Sequence, residues 1–271
     1  MPELPEVETT RRGIKPLITG KTVFRVTLHN PSLRWPVPEC LKTLLPGQKV
    51  HDIERRSKYL LIRLEAGTLI VHLGMTGHLR VVKATSARRK HDHFEILFHD
   101  GTVLRFNDSR RFGAIFWTDK DPLQHARLMN LGPEPLSGEF NANYLYQRSR
   151  NRSLPIKPFL MDAKIVVGVG NIYASEALFR AKISPLAAAG KISKIRYQRL
   201  VKSVVDVLEE SIAAGGTTIR DFMTTSGMPG YFKQELRVYG RVDQPCYVCN
   251  HPIKQLRLSQ RSTFYCPRCQ K

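Results

Sequence analysis

Four cysteines near the carboxyl end of the chain constrain its folding more than any other feature. Cys246, Cys249, Cys266 and Cys269 follow the spacing C-x2-C-x16-C-x2-C, which is typical of a four-thiolate zinc site. A module of about thirty residues cannot stabilise itself by burying a core, so a bound metal must contribute that stability. Two disulfides are the alternative, and a reducing cell interior disfavours them. The spacing therefore predicts one structural zinc ion per chain.

The chain is strongly basic, with 43 Lys and Arg residues against 23 Asp and Glu residues and a net charge of +20. Such a surplus favours a polyanionic partner, above all nucleic acid, because neutralised phosphates release their counterions. The sequence has no apolar run near the roughly 18 residues of a membrane span and no signal-peptide layout. We therefore expect a cytoplasmic protein with no membrane partner. Cys40 has no paired histidine and is interpreted as a plain thiol.

The stretch from about residue 22 to 118 consists of short β-rich runs separated by turn signals. Their number and spacing predict a β-sandwich or barrel, with a helix over Pro5–Ile18 packed on it. Ala66-Gly67 and Asp100-Gly101 are interpreted as two-residue hairpin loops. The predicted strands are Thr22–Leu28, Lys49–Glu54, Tyr59–Leu64, Leu69–Leu73, His78–Val82, Phe94–Phe98, Val103–Phe106 and Ala114–Trp117.

The second half of the chain follows a linker at Leu131–Pro135 and is predicted to be helical. Apolar residues at three- and four-residue steps over Tyr197–Ile212 indicate a core helix that ends at Gly215. Gly168–Asn171 precedes a predicted helix over Ile172–Arg180. Its glycines and free amides suit a phosphate, although an ordinary glycine turn is the alternative.

The chain opens Met1-Pro2-Glu3-Leu4-Pro5-Glu6-Val7-Glu8. Once Met1 is removed, Pro2 presents a secondary amine, and a terminal amine is partly unprotonated at neutral pH, with a pKa of about 7.7–8. Its attack on a sugar carbon would give an iminium ion, which is an electron sink for elimination. The structural alternative is an ordinary helix start, with Pro5 and acidic residues in the first turn.

Eight motifs occur in order from one end of the chain to the other. They are Pro2–Glu8, Arg55–Leu60, His72–Met75, His91–His93, Arg110–Gly113, Met161-Asp162, Gly168–Ala174 and Gln260–Cys266. Together they resemble the formamidopyrimidine-DNA glycosylases, a family of bacterial DNA repair enzymes. The resemblance implies excision of oxidised purines, chiefly 8-oxoguanine opposite cytosine and formamidopyrimidines, from double-stranded DNA. It also implies cleavage of the resulting abasic strand by β- and δ-elimination.

The implied fold is an α+β multidomain chain. We expect a monomer, as the simpler assumption, and association with the bacterial nucleoid through DNA binding. The chain has an N-terminal catalytic β-sandwich with flanking helices over residues 2–130. A linker and a helix-two-turn-helix α-helical DNA-binding domain occupy residues 131–240, and the C-terminal zinc finger occupies residues 241–271. The segment Thr217–Tyr231 corresponds to the part of the family that covers the everted base, and its glycines suit a lid.

The resemblance also assigns catalytic roles to four residues. Pro2 is the nucleophile that forms a Schiff base with deoxyribose, and Glu3 is the neighbouring general acid. Lys58 and Arg261 match the proton donors of β-elimination and δ-elimination, respectively. Relatives often carry proline where this chain has Ser109, a difference that removes no chemical group.

Residues expected to touch DNA are also carried over from the family, namely Met75, His91, Arg110, Phe112, Arg152, Lys157 and Asn171. Met75, Arg110 and Phe112 match the residues that fill the gap left by a flipped base. Without the resemblance, Met75 and Phe112 would be interpreted as core residues. His91-Asp92-His93 could be a metal pair, but no cysteine or further carboxylate accompanies it.

Two alternatives remain open at this point. The sister endonuclease VIII type prefers oxidised pyrimidines and typically opens Pro-Glu-Gly-Pro-Glu, where this chain has Leu4. A non-catalytic DNA-binding zinc protein would explain the charge and the cysteines. It would give no reason for an intact set of Pro2, Glu3, Lys58 and Arg261.

Overall fold

The computed structural model of the chain describes residues 2–215 and 236–271. The described chain divides into two compact units. The first runs from Pro2 to Met129, and the second comprises Asn130–Ala213 with the described residues from 236 onward. The predicted lid over Thr217–Tyr231 lies outside the described residues. The bounds of the three predicted domains remain a prediction.

Eight antiparallel strands build the first unit as two four-stranded sheets, with the orders β1-β6-β7-β5 and β2-β3-β4-β8. A single apolar core joins them, because Val26 and Phe106 of one sheet cluster with Ile53 and Ile62 of the other. The predicted β-sandwich is thereby confirmed. The strands are β1 Val23–Leu28, β2 Val50–Arg56, β3 Tyr59–Leu64, β4 Gly67–His72, β5 His78–Lys83, β6 Asp92–Phe98, β7 Thr102–Asn107 and β8 Ala114–Thr118.

Both hairpin loops differ from the sequence prediction by one residue. Gly67 pairs with Leu64 as the first residue of β4, so the first loop is Glu65-Ala66. Glycine is required there by packing, since an added Cβ would lie 2.3 Å from the carbonyl oxygen of Thr118. The second loop has three residues and ends at Gly101, whose φ of 79° is the left-handed conformation that such loops need.

Helix α1, over Leu4–Ile18, packs on the sandwich through the fully buried side chains of Val7, Ile14 and Ile18. The predicted helix is therefore present, and it starts one residue earlier than expected. A short helix α2, Leu41–Leu44, follows β1. It lacked a sequence signal because four residues are too few to show a helical period.

The second unit contains four helices and one hairpin. Helices α5 and α6 begin one and three residues, respectively, before their predicted starts, and α6 is followed by Gly215 with a φ of 82°. Phe159, Tyr173 and Tyr197 are fully buried in its apolar core. The elements are α3 Ala142–Ser149, α4 Ile156–Met161, α5 Asn171–Arg180, α6 Lys194–Ala213, β9 Lys254–Leu258 and β10 Arg261–Tyr265.

The cysteine module is docked on the helices rather than standing apart. Gln270 Nε2 donates to the carbonyl of Ile183 at 2.9 Å, and Ser184 N–H donates to the carbonyl of Lys271 at 3.1 Å. Phe179 of α5 clusters with Phe264 of the module. The module does not bury an apolar cluster by itself, because the neighbouring helix supplies part of the one that it shares. None of the described helices is both long and apolar enough to cross a membrane.

Candidate functional site

The start of the chain is held in a buried, hydrogen-bonded position. Pro2 is buried, and Glu3 and Glu6 are 2% and 0% exposed. The Glu3 N–H donates to Glu6 Oε2 at 2.8 Å, which ties the residue before the helix to its first turn. The helix-start interpretation is thus correct. A helix start does not exclude a role for Pro2 as a nucleophile, because the same cap fixes Pro2 and Glu3 in place.

Lys58 lies in the tight turn between β2 and β3, close to a neutral histidine. Burial is the largest cause that lowers the pKa of His72 to about 4, and the charges of Lys58 and Arg34 lower it further. The Gly74 N–H donates to His72 Nδ1 at 3.1 Å, which leaves the imidazole proton on Nε2. His72 was noted in the sequence only as part of a motif. In the structure, His72 is a neutral hydrogen-bond donor whose pKa is affected by the charge of Lys58.

A buried carboxylate joins the turn that carries Met75 to the loop that carries Arg110 and Phe112. Asp108 is 0% exposed and accepts hydrogen bonds from the Gly113 N–H at 2.7 Å and from Thr76 Oγ1 at 2.5 Å. An added Cβ on Gly74 would lie 2.4 Å from Gly113 N, so the two segments touch backbone to backbone. Two stretches more than thirty residues apart in sequence thereby form one surface.

The loop side chains face outward from this anchor. Phe112 is 44% exposed, so its interpretation as a core residue is wrong, and Met75 is half-buried. The Arg110 guanidinium lies 4.8 Å from the centre of the Phe112 ring, a cation–π contact. Both residues line an open cavity of about 560 Å³, together with Arg34 and Arg111. The cavity combines positive charge with an aromatic face.

His91 precedes β6 with a φ of 74°, a left-handed backbone conformation that is uncommon for residues other than glycine. The next residue, Asp92, binds Arg80 through two contacts of 2.7 and 2.8 Å. His93 Nε2 lies 2.8 Å from the carbonyl oxygen of Asp108. The Asp92 and His93 side chains of this motif are thus engaged in protein contacts, and the Asp108 N–H donates to the His91 carbonyl at 3.1 Å.

Lys157 is the buried centre of a polar cluster in the second unit. It is 1% exposed, and Nζ donates to Asn171 Oδ1 at 2.7 Å, to the Ser262 carbonyl at 3.0 Å and to Thr263 Oγ1 at 2.9 Å. The Asn171 amide in turn donates to the Ser262 carbonyl at 3.0 Å and to Tyr239 Oη at 3.4 Å. Lys157 therefore fixes Asn171 and the finger hairpin, and Tyr239 joins the cluster without any prior sequence signal.

Arg261 and Arg152 of the second unit are both exposed. Arg261 begins β10 after two left-handed residues, Ser259 and Gln260, and lines a cavity of about 210 Å³ with Lys157. Arg152 donates through Nε to the Arg148 carbonyl at 2.9 Å. Both guanidinium groups are accessible to an anionic ligand.

The four cysteines of the finger fit a tetrahedral ion. Their sulfur atoms all lie within 4.8 Å of one another, with Cys246 and Cys269 3.9 Å apart and Cys249 and Cys266 3.5 Å apart. Four Zn–S bonds of about 2.3 Å require sulfur separations of about 3.8 Å. All five cysteines of the chain are free, so the disulfide alternative is wrong, and Cys40 is exposed. The donor set suits one structural zinc ion.

Together these features define a zinc-finger protein whose first helix begins beside a buried proline. The chain matches the formamidopyrimidine-DNA glycosylase N-terminal domain over residues 1–115 and the helix-two-turn-helix domain of the same proteins over residues 131–223. Residues 243–271 match a zinc finger found in FPG and IleRS. The chain belongs to the formamidopyrimidine-DNA glycosylase family.

Relatives and solved structures resemble the chain over its full length. A formamidopyrimidine-DNA glycosylase of Stutzerimonas stutzeri is 55% identical over 100% of both chains. A complex of Lactococcus lactis Fpg with DNA containing an abasic site is 32% identical, with a TM-score of 0.91 over 99% of both chains. A complex of MutM with DNA containing carbocyclic 8-oxo-G is 34% identical, with a TM-score of 0.90 over 100% of both chains.

Proposed function

We propose that this chain is a bifunctional DNA glycosylase and abasic-site lyase that removes oxidised purines from double-stranded DNA through Pro2. The observation that carries the proposal is the buried position of Pro2 beside Glu3 at the start of α1, in a chain that matches this family end to end. The net charge of +20 suits a DNA substrate. The related complexes contain carbocyclic 8-oxo-G DNA and abasic-site DNA, which correspond to the substrate and the intermediate of this chemistry.

The reaction begins with the free amine of Pro2. Its lone pair attacks C1′ of the damaged nucleotide, the glycosidic bond breaks, and the leaving base takes a proton. We assign the acid that assists this step to Glu3. The C1′–O4′ bond of the sugar then opens, O4′ takes up the proton that the proline nitrogen loses, and the product is an iminium ion. The iminium ion acidifies the C2′ hydrogen, so loss of that proton expels the 3′-phosphate, and a second elimination expels the 5′-phosphate. Lys58 and Arg261 are assigned to proton transfer in these two eliminations.

Base removal requires the damaged nucleotide to flip out of the DNA double helix, and the loss of base stacking costs a few kcal/mol. The surface that Asp108 holds together is suited to fill the gap that the flipped nucleotide leaves in the DNA. It presents a thioether at Met75, a planar cation at Arg110 and an exposed ring at Phe112. We assign Arg110 to hydrogen bonding with the cytosine that is left unpaired when the damaged base flips out.

Phosphate contacts are assigned to exposed or half-buried groups of both units, namely His91, Arg152 and Asn171. Lys157 supports this set indirectly, since all three of the donor hydrogens of its ammonium group have acceptors within the protein. We further propose that the chain acts as a monomer in the bacterial cytoplasm, associated with the nucleoid through DNA.

The experiment that tests this function offers the protein a duplex with 8-oxoguanine opposite cytosine, in the presence of borohydride. We expect a covalent adduct, because reduction traps the iminium ion. A non-catalytic DNA-binding zinc protein would bind the duplex without forming an adduct. A parallel thymine glycol duplex addresses the endonuclease VIII alternative, which would require faster trapping on that substrate.

Replacement of Arg110 by Ala is expected to weaken the preference for cytosine opposite the lesion while leaving reaction at an abasic site intact. A bidentate guanidinium-to-base contact contributes about 1–3 kcal/mol of discrimination. The measurement compares excision of 8-oxoguanine opposite cytosine and opposite adenine. Arg111→Ala is the matched control, because Arg111 is an adjacent exposed cation that lines the same cavity. Equal losses on every substrate would indicate that Arg110 has a structural role instead.

A further inference from the structure

Glu8, on the second turn of α1, is contacted by three guanidinium groups. The residue is 8% exposed. Arg11 donates to it through Nη2 at 2.7 Å and Nε at 3.0 Å, and Arg12 donates through Nε at 2.8 Å. The third contact comes from outside the helix, where Arg55 Nε of β2 lies 3.2 Å from Glu8 Oε2. This third contact crosses from the helix to the sandwich.

Arg55 continues the connection to the turn that precedes β3. Its Nη1 donates to the carbonyl oxygen of Ser57 at 2.9 Å. Ser57 is 5% exposed and has a φ of 57°, so its peptide is fixed in a conformation that few residues adopt freely. Lys58 is the next residue. One guanidinium group can donate hydrogen bonds to Glu8 and to Ser57 at the same time, because its N–H groups point in different directions within one rigid plane.

The carboxylate of Glu8 is ionised throughout the neutral range. Burial opposes its ionisation, but hydrogen bonds from Arg11 and Arg12 and the charges of Arg11 and Arg55 outweigh burial and lower the pKa to about 2. The contact with Arg55 is therefore a permanent ion pair, and it does not switch with pH near neutrality.

We propose that Glu8 and Arg55 are positioning residues that fix helix α1, which begins just after Pro2, relative to the turn carrying Lys58. The proposal rests on the proposed function, in which Pro2 forms the Schiff base and Lys58 moves a proton. The two reacting groups lie on different elements, Pro2 at the start of α1 and Lys58 in the β2–β3 turn. The contacts from Glu8 to Arg55 and from Arg55 to Ser57 link those two elements directly. A displacement of about 1 Å at a reacting centre can cost up to about 100-fold in rate.

The test uses the full-length protein with zinc bound and single-turnover borohydride trapping on abasic-site DNA. Glu8→Gln removes the charge of the carboxylate, and Arg55→Lys keeps the charge but replaces the fork by a single ammonium. We expect each variant to trap about 10- to 100-fold more slowly, with unchanged affinity for DNA. The double variant should be no slower than the slower single variant, because both changes break one link.

Asp52→Asn is the matched control. Lys15 of α1 pairs with Asp52 of β2 at 2.6 Å, so it is an ion pair between the same two elements, but both side chains are about 40% exposed. We expect this variant to trap at the wild-type rate, and the melting temperatures of all variants are measured alongside. If Glu8→Gln does not fold, Arg55→Lys decides the question.

Trapping by Glu8→Gln or folded Arg55→Lys at the wild-type rate would overturn the positioning role. Equal slowing by Asp52→Asn would overturn it as well, since any loosening of the helix would then suffice. Peptide mapping of the wild-type adduct separates this result from failure of the proposed function. A wild-type adduct away from Pro2 refutes both proposals, whereas an adduct on Pro2 with unimpaired Glu8→Gln refutes only the positioning role.

Discussion

Any residue retained before Pro2 is expected to abolish covalent trapping on 8-oxoguanine DNA. An extension turns the proline nitrogen into an amide, which has no basic lone pair with which to attack the sugar carbon. The measurement is borohydride trapping of the protein with Met1 removed, compared with the same protein carrying an uncleaved N-terminal extension. DNA affinity should differ little between the two, because the exposed arginines assigned to DNA binding lie elsewhere.

Glu3→Gln separates base removal from the later lyase step. We expect it to slow excision of the damaged base by roughly 10²–10⁴-fold, the usual contribution of a positioned acid. Reaction with a preformed abasic site should persist, since no base has to leave. An adduct that maps to Lys58 or another lysine, with Pro2 unmodified, would overturn the mechanism while leaving DNA binding unaffected.

Loss of zinc is expected to have the second of the two largest effects. Chelation or Cys249→Ser should unfold the finger and abolish DNA binding, because a structural zinc in a small module contributes about 10–16 kcal/mol. The module carries six basic residues against one acid, so its loss removes much of the positive surface. The Lys157 ammonium also loses its partners Ser262 and Thr263, which should loosen the helical unit. The β-sandwich should remain folded.

Metal content, DNA affinity and thermal unfolding are measured together to test the zinc effect. Cys40→Ser is the matched control, because Cys40 is a free, exposed cysteine in the first unit. It should keep its zinc and its affinity for DNA. Well-folded, active protein without zinc would contradict the predicted structural role of the metal.

The sequence by itself determined the features that depend on local order. The cysteine spacing predicted the metal site, because paired ligands with two residues between them approach one ion with little help from the rest of the chain. The eight strands were located by alternation and turn residues, and the candidate nucleophile by its place at the chain start. Each of these signals is contained within a few neighbouring residues.

Only the tertiary structure decided which side chains are buried and which distant groups meet. Glu8 and Arg55 are 47 residues apart, and Lys157 and Thr263 are 106 residues apart, so no local pattern could pair them. Lys157 was expected to touch DNA, yet packing buries it and directs its hydrogen bonds inward. Without the family resemblance Phe112 would be interpreted as a core residue, yet it is exposed on a loop whose backbone is anchored by Asp108. Burial and pairing of this kind arise from how whole elements pack, which short-range periodicity does not encode.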